Sequence, residues 1–273
     1  MDYMLNIKGR LLSLQRPVVM GILNATPDSF FAGSRVQTEK EIALRADEIV
    51  AEGGGIIDVG AYSTRPGGSE VSEADEMDRL RKALAIVRRQ QPEAVVSVDT
   101  FRPDVARMAV EEFGADIVND VSEGEHPAMF RMVARLGIPY VLMSVQPDLR
   151  STLLTFARKV QMLRDQGQKD IILDPGFGFG KTLEQNYALM SQLEKLLVMD
   201  LPLLVGVSRK SMISRVLECQ PDDALCGTVA LNTIALMKGA SILRVHDVRE
   251  AVECVKLWAF NRKIVNSKSS NSK

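Results

Sequence analysis

Eight short apolar runs of strand length punctuate the chain, separated by longer stretches in which apolar and charged residues alternate with helical spacing. The runs are PVVMGILN (17–24), IIDVG (56–60), AVVSVD (94–99), DIVND (116–120), PYVLM (139–143), DIILD (170–174), PLLVG (202–206) and SILRV (241–245). Their nearly unbroken apolar character suits strands buried on both faces, as in a parallel sheet. The intervening stretches carry helix start signals: Thr38 before EKEIALRADEIVAEGG, Ser72 before EADEMDRLRKALAIVRRQ, and Asp222 at the head of DDALCGTVALNTIALMKGA. The runs recur about every 32 residues, the size of a βα unit. Eight such units predict an α/β fold, a closed (β/α)8 TIM barrel, as a single domain over residues 1–262. Ahead of the first run, YMLNIKG and LLSL flank Gly9 and predict a short N-terminal hairpin capping the bottom of the barrel. Residues 263–273, ending NSKSSNSK, have too little apolar surface to bury and are expected to form a disordered polar tail.

The totals exclude several functions. Thirty-four basic against thirty-five acidic residues give a formal charge of −1, so no general field attracts nucleic acid or an anionic membrane, and any anion site must be local. Cys219, Cys226 and Cys254 are odd in number and lack C-x-x-C spacing, which favours neither a disulfide framework nor a zinc site. No signal-peptide layout opens the chain and no apolar run nears membrane-spanning length, so a soluble, cytoplasmic protein is expected.

In a barrel of this kind the active site lies at the C-terminal ends of the strands. Polar residues cluster at those ends: Asn24 after the first run, Asp58 with Ser63, Thr64 and Arg65 at the second, Asp99 at the third, and Asn119 and Asp120 at the fourth. Asp174 ends the sixth, Ser208, Arg209 and Lys210 follow the seventh, and Arg244 and His246 close the eighth. Only the fifth run, ending in Met143, is apolar. Taken singly, each of these residues is ordinary helix-cap or turn chemistry, and Asp120 and Ser208 fit that reading. Seven of eight ends is a pattern. Asp99, Asn119, Asp174 and Lys210 suit a flat, nitrogen-rich heterocycle, because a carboxylate pairs bidentately with adjacent N–H groups. Asn24, Thr64, Arg65, Arg244 and His246 suit phosphate oxygens, and a buried Arg244 requires an anion. His126, in EGEHPAM, reads as a surface turn residue, and Trp258 as a docking residue of the last helix.

The glycine-rich stretch ILDPGFGFGKT (172–182) approaches two phosphate-binding motifs without meeting either. A Walker A loop requires Gly where Pro175 stands, and Gly176, Gly178 and Gly180 run G-x-G-x-G where a dinucleotide fingerprint runs G-x-G-x-x-G. The glycines signal close approach of backbone to something else.

Taken together, MGILNATPDSF (20–30), IIDVGAYSTRPG (56–67), SVDT (97–100), IVND (117–120), LDPGFGFGK (173–181), LLVGVSRKSMI (203–213) and RVHDV (244–248) resemble bacterial dihydropteroate synthases, from about residue 17 to about 258. The resemblance implies a homodimeric, Mg²⁺-dependent transferase of folate biosynthesis, the step targeted by sulfonamides. It would join 6-hydroxymethyl-7,8-dihydropterin diphosphate to 4-aminobenzoate, giving 7,8-dihydropteroate and diphosphate. It further implies that Asn24 ligates the metal, that Thr64, Arg65, Arg244 and His246 hold the diphosphate, and that Asp99, Asn119, Asp174 and Lys210 hold the pterin. Met143, Phe179 and Gly206 would line the ring, and Pro66, Lys210 and Ser211 would border the aminobenzoate. Asn24, Lys210, Arg244 and His246 are the residues expected to act in catalysis.

Two segments depart from the family pattern. DSFFAG (28–33) has Ala32 where a second acid is usual, and LMSVQP (142–147) replaces L-M-H-M-x-G, which reads as variation in a peripheral loop. The loop over residues 28–35, with Phe30, Phe31 and Arg35, has the composition of a lid over bound diphosphate. Three alternatives share parts of the pattern: a corrinoid-linked pterin methyltransferase, a non-catalytic pterin-binding paralogue, and a Schiff-base aldolase built on Lys210.

Overall fold

The computed structural model describes residues 3–25, 35–62 and 71–270, with the side chains of 35–38 and 266–270 left out of the description. The hairpin comes first, β1 (Met4–Ile7) and β2 (Arg10–Ser13), antiparallel with Ile7 opposite Arg10. Lys8 (φ 50°) and Gly9 (φ 86°) form its two-residue turn, both in the left-handed region that matches strand twist in tight hairpins.

The barrel strands follow: β3 (Val18–Asn24), β4 (Ile56–Gly60), β5 (Val95–Asp99), β6 (Ile117–Asp120), β7 (Tyr140–Met143), β8 (Ile171–Asp174), β9 (Leu204–Val205) and β10 (Ile242–Val245). Each falls inside one of the eight apolar runs. All pair in parallel in the order β8-β7-β6-β5-β4-β3-β10-β9, and a Leu173–Leu203 bridge joins β8 to the start of β9. Between them run α1 (Arg35–Ala51), α2 (Glu73–Gln90), α3 (Pro103–Phe113), α4 (Met129–Leu136), α5 (Leu149–Asp165), α6 (Leu183–Ser191), α7 (Ser211–Leu217) and α8 (Leu225–Met237), with α9 (Val248–Ser270) last.

The main core fills the layer between sheet and helices, with Trp258 packed against its edge. A second core fills the barrel's lower interior, where every strand contributes one residue: Met20, Ile56, Val95, Ile117, Val141, Ile172, Leu204 and Ile242. Leu5, Ile7 and Leu14 of the hairpin segment pack onto that layer from below, so the hairpin plugs the barrel. Its turn is held by Lys8, which lies 2.9 Å from Asp116 just before β6, and Arg88 reaches the same carboxylate at 2.8 Å. Burial alone would raise the Asp116 pKa; hydrogen bonds from Lys8, the Val96 N–H and Arg88 instead bring it below the ordinary range.

Ser72 caps α2 as expected, accepting from the Asp75 N–H. Two helix starts are corrected. Thr38 lies inside α1, which begins at Arg35. Asp222 lies in a short 3-10 turn (Pro221–Asp223), and α8 begins only at Leu225. α9 runs on past residue 262 through 263–270. Extending an existing helix adds one hydrogen bond per residue without a new nucleus, so polar sequence can follow it. His126 is exposed, in the turn before α4.

Candidate active site

Strand alternation carries the barrel's inward face upward from the lower core two residues at a time. The next layer is Ile22, Asp58, Ser97, Asn119, Met143, Asp174, Gly206 and Arg244, and beyond it come Asn24, Asp99, Ser208 and His246. Apolar filling gives way to polar side chains within two residues of every strand's course except β3, β7 and β9. Gly206 lies beside Arg244, and a Cβ there would make ordinary van der Waals contact with the Arg244 Cβ at 3.7 Å.

Arg244 joins three strands. Its Nε donates to Asp58 Oδ2 at 2.6 Å and its Nη2 to Asp99 Oδ2 at 2.5 Å, while Asn119 Nδ2 donates to the same Asp58 oxygen at 3.2 Å. The buried arginine was expected to find its anion in a diphosphate. Within the protein it pairs with two carboxylates, and Nη1 stays outside both pairs. Burial alone would lower the Arg244 pKa, but Asp58 and Asp99 together hold it above the ordinary range. Burial pushes the Asp99 carboxyl up to about 7 despite the guanidinium beside it. Asp58 Oδ1 and Asn119 Oδ1 are buried acceptors with no hydrogen-bond partner among the described residues. Asp58 enters as a member of this set by contact; the sequence showed only its position.

Across the barrel, the loop after β8 turns tightly. Asp174 Oδ1 accepts the Gly176 N–H at 2.7 Å, and Gly176 (φ 69°) lies so near the β7 loop that a Cβ would come within 2.0 Å of the Ser144 carbonyl oxygen. Lys181 binds its own loop, donating to the carbonyls of Gly176 at 3.0 Å, Phe179 at 3.3 Å and Ser144 at 3.1 Å. A lysine used this way holds backbone and does not reach for phosphate. Burial lowers its pKa to about 8. Lys210 approaches from the β9 loop, donating to the Phe177 carbonyl, with its Nζ 4.6 Å from the Phe179 ring centroid. Burial lowers Lys210 to about 8 and raises Asp174, and in each case the other's charge opposes the shift. Met143 is fully buried.

At the adjoining end of the barrel, Ser208 Oγ accepts the His246 backbone N–H and meets His246 Nδ1, both at 3.1 Å. Arg45 of α1 donates to the His246 carbonyl at 2.5 Å and to that of Ile22 at 3.3 Å, tying the ends of β10 and β3 together. Asn24, exposed at the end of β3, stands on the strand beside β10. Arg209 (φ 53°) forks onto Asp247 at 2.7 and 3.0 Å, and a cleft of about 560 Å³ between Arg209, Asp222 and His246 opens there. Ser211 begins α7 and is exposed. Asp120 has a structural role, accepting from Ser122 and, at 2.7 Å, from Tyr140. Thr64, Arg65, Pro66 and the whole proposed lid apart from Arg35, whose side chain is not described, lie outside the described residues.

The segment LMSVQP is not peripheral. Ser144 is fully buried, and its N–H donates to the Asp174 carbonyl at 2.8 Å. Lys181, Arg45 and Glu123 were missed because their partners are main-chain groups or loops distant in sequence.

An eight-stranded α/β barrel whose C-terminal mouth sets buried carboxylates, an asparagine and a lysine around one opening has the architecture of a pterin-binding enzyme. Residues 20–246 match the family described as pterin binding enzyme. The chain is 38% identical to dihydropteroate synthase of Escherichia coli over 265 residues, 92% of this chain and 93% of that protein. It superposes on the Xanthomonas albilineans dihydropteroate synthase solved with 4-aminobenzoic acid with a TM-score of 0.89, at 32% identity over 96% of this chain and 99% of the other. The same organism's enzyme in complex with 7,8-dihydropteroate gives a TM-score of 0.86, at 32% identity over 95% and 99%. The chain belongs to the dihydropteroate synthase family.

Proposed function

We propose that the chain condenses 6-hydroxymethyl-7,8-dihydropterin diphosphate with 4-aminobenzoate, forming 7,8-dihydropteroate and releasing diphosphate. The observation that carries this reading is the convergence of Asp99, Asn119, Asp174 and Lys210 on one mouth, with Arg244 bridging Asp99 to Asp58. Asp174 and Asn119 offer acceptors to the amino and ring N–H edge of the pterin, with Met143, Phe179 and Gly206 along its faces. Pro66, Lys210 and Ser211 would border the aminobenzoate.

In the reaction the exocyclic C–O bond to diphosphate breaks, a C–N bond to the arylamine forms, and the amine proton passes to solvent. Charge develops on the departing diphosphate, and groups already aimed at it lower the barrier. His246 is suited to stabilising that charge. Ser208 Oγ accepts the His246 backbone N–H, and where its own proton is donated to Nδ1 the second ring nitrogen carries the hydrogen and serves as a donor. Thr64 and Arg65 would add donors. Positive charge left on the pterin would be balanced by Asp99 and Asp174.

Among the described residues no group of three or more His, Cys, Asp or Glu side chains is arranged to hold a metal. Asn24 still suits Mg²⁺, which commonly takes few protein ligands and completes its shell with water and substrate phosphate oxygens. When bound, that ion would neutralise charge on the leaving diphosphate. We further propose a homodimer, supported by exposed apolar residues on the adjacent helices α7, α8 and α9: Val216, Leu217, Ile234, Met237, Leu257 and Phe260. A cytoplasmic location agrees with the free cysteines, and among the described residues no helix is long and apolar enough to cross a membrane. Sedimentation at a twofold monomer mass is the expected result for the assembly.

The deciding experiment supplies purified protein with both substrates and Mg²⁺ and measures diphosphate and dihydropteroate. Both products are expected. Pterin binding without product would favour a non-catalytic paralogue, and borohydride trapping at Lys210 with a carbonyl substrate would favour the aldolase.

The pH dependence follows from Asp99 at about 7 and Lys210 at about 8. Pterin recognition uses the Asp99 carboxylate, lost as pH falls through the first value, and the Lys210 ammonium, lost as pH rises through the second. The profile of kcat/KM for the pterin substrate should therefore be a narrow bell, because that parameter reports the free enzyme's groups. A flat profile from pH 5.5 to 9, about 1.5 units below the first value and one above the second, would remove both residues from recognition.

A further inference from the structure

The loop between β6 and α4 holds a carboxylate that the reaction does not use. Glu123 is buried and has a left-handed backbone, φ 64°, a conformation that glycine adopts freely and other residues keep only when their surroundings demand it. Its Oε1 accepts from Ser144 Oγ at 3.1 Å, the Val145 N–H at 3.1 Å and Gln146 Nε2 at 3.2 Å, and Oε2 accepts from Gln146 Nε2 at 3.1 Å. Lys159 of α5 lies 3.7 Å from Oε2 and donates to the Glu123 carbonyl. One carboxylate thus gathers the three residues that follow Met143.

Those residues touch the β8 loop in turn. Ser144 donates through its N–H to the Asp174 carbonyl at 2.8 Å, and its own carbonyl accepts from Lys181 at 3.1 Å. Lys181 holds the carbonyls of Gly176 and Phe179, and Gly176 packs directly against Ser144. From these contacts we infer that Glu123 is a positioning residue of the pterin site, acting through Ser144. It fixes the backbone of residues 144–146 from behind, and that backbone fixes Met143, Lys181 and the turn at Gly176. The inference rests on the reading of Met143 and Asp174 as pterin-facing.

Glu123→Gly is the informative substitution, because glycine suits the local backbone while every contact of the carboxylate is lost. Amide hydrogen exchange of the ligand-free protein is expected to quicken at residues 144–146 and also at 175–181. Affinity for dihydropterin diphosphate should fall about tenfold, within the range for residues that act through an intermediary. Glu123→Gln keeps an acceptor for Ser144 and Val145 and should recover most of that affinity. Combined with Lys181→Met, Glu123→Gly should cost less than the sum of the two separate losses. Unchanged exchange at 175–181 with affinity within about twofold of the parent would overturn the inference, as would a loss that is fully additive with Lys181→Met. If Glu123→Gly does not fold, Ser144→Ala with Gln146→Ala decides the same point, and undisturbed exchange at 175–181 overturns it. A parent protein that fails to bind dihydropterin diphosphate refutes the functional reading alone, since the exchange measurements need no ligand.

Discussion

Arg244→Met is expected to lower the thermal midpoint by about 10 °C and to abolish measurable turnover. The arginine neutralises Asp58, which is fully buried, and Asp99, which is partly buried. Removing one partner from a buried ion pair costs about 3–5 kcal/mol, because the remaining charge is stranded in a poor solvent for it. For a chain of this size each kcal/mol moves the midpoint by roughly 2–4 °C. Methionine fills similar volume, so the loss comes from charge and not from a cavity. Adding Asp58→Asn should restore much of the midpoint, since the stranded carboxylate is then neutral, while turnover stays absent because Asp99 has lost its guide. Calorimetry on the single and double variants checks both halves. A single variant as stable as the parent would mean that Asp58 and Asp99 do not depend on the guanidinium. Lysine is not expected to substitute, since one ammonium cannot reproduce a planar fork spanning two strands.

The barrel was legible because its strands are buried on both faces, which makes each an apolar run, and because helix-length stretches separate them. The ends of the strands were legible in the same way, so Asp58, Asn119, Asp174 and Arg244 could be assigned to the mouth before any contact was known. What position at a strand end does not supply is who pairs with whom. Arg244 meets carboxylates 145 and 186 residues away, across strands that only barrel closure makes neighbours. A division of the polar residues into a pterin half and an anion half put Arg244 in the second, and could not show that it also pairs with Asp99 of the first. Lys181 was hidden differently: the glycine-rich loop matched no motif that would give its lysine a partner, and only the turn at Gly176 brings three carbonyls within its reach. The replacement of the family's histidine by Ser144 looked peripheral because Glu123, which accepts from it, lies 21 residues earlier in another loop.

Asp174→Asn should weaken binding of dihydropterin diphosphate by at least about 30-fold without lowering stability. The amide can still present an oxygen to the Gly176 N–H, so the turn survives. Its nitrogen then replaces the second carboxylate oxygen and sets a donor against the donors of the pterin edge. Losing one member of a buried, charged hydrogen-bonded pair costs about 2–5 kcal/mol, which is the source of the affinity change. Stability should move the other way. Burial raises the Asp174 pKa despite the opposing charge of Lys210. A carboxyl whose folded pKa is raised binds more protons in the folded than in the unfolded chain, so its ionisation makes the fold less stable as pH climbs between the two values. At pH 7 the neutral amide removes that penalty, and the midpoint of the variant should equal or exceed the parent's. The loss of a negative neighbour should also lower the Lys210 pKa further, moving the alkaline limb of the pterin profile to lower pH. Calorimetric titration with dihydropterin diphosphate and a thermal melt at pH 7 separate the outcomes. Reduced affinity together with reduced stability would make Asp174 a structural residue of the turn, and unchanged affinity would remove it from the site altogether.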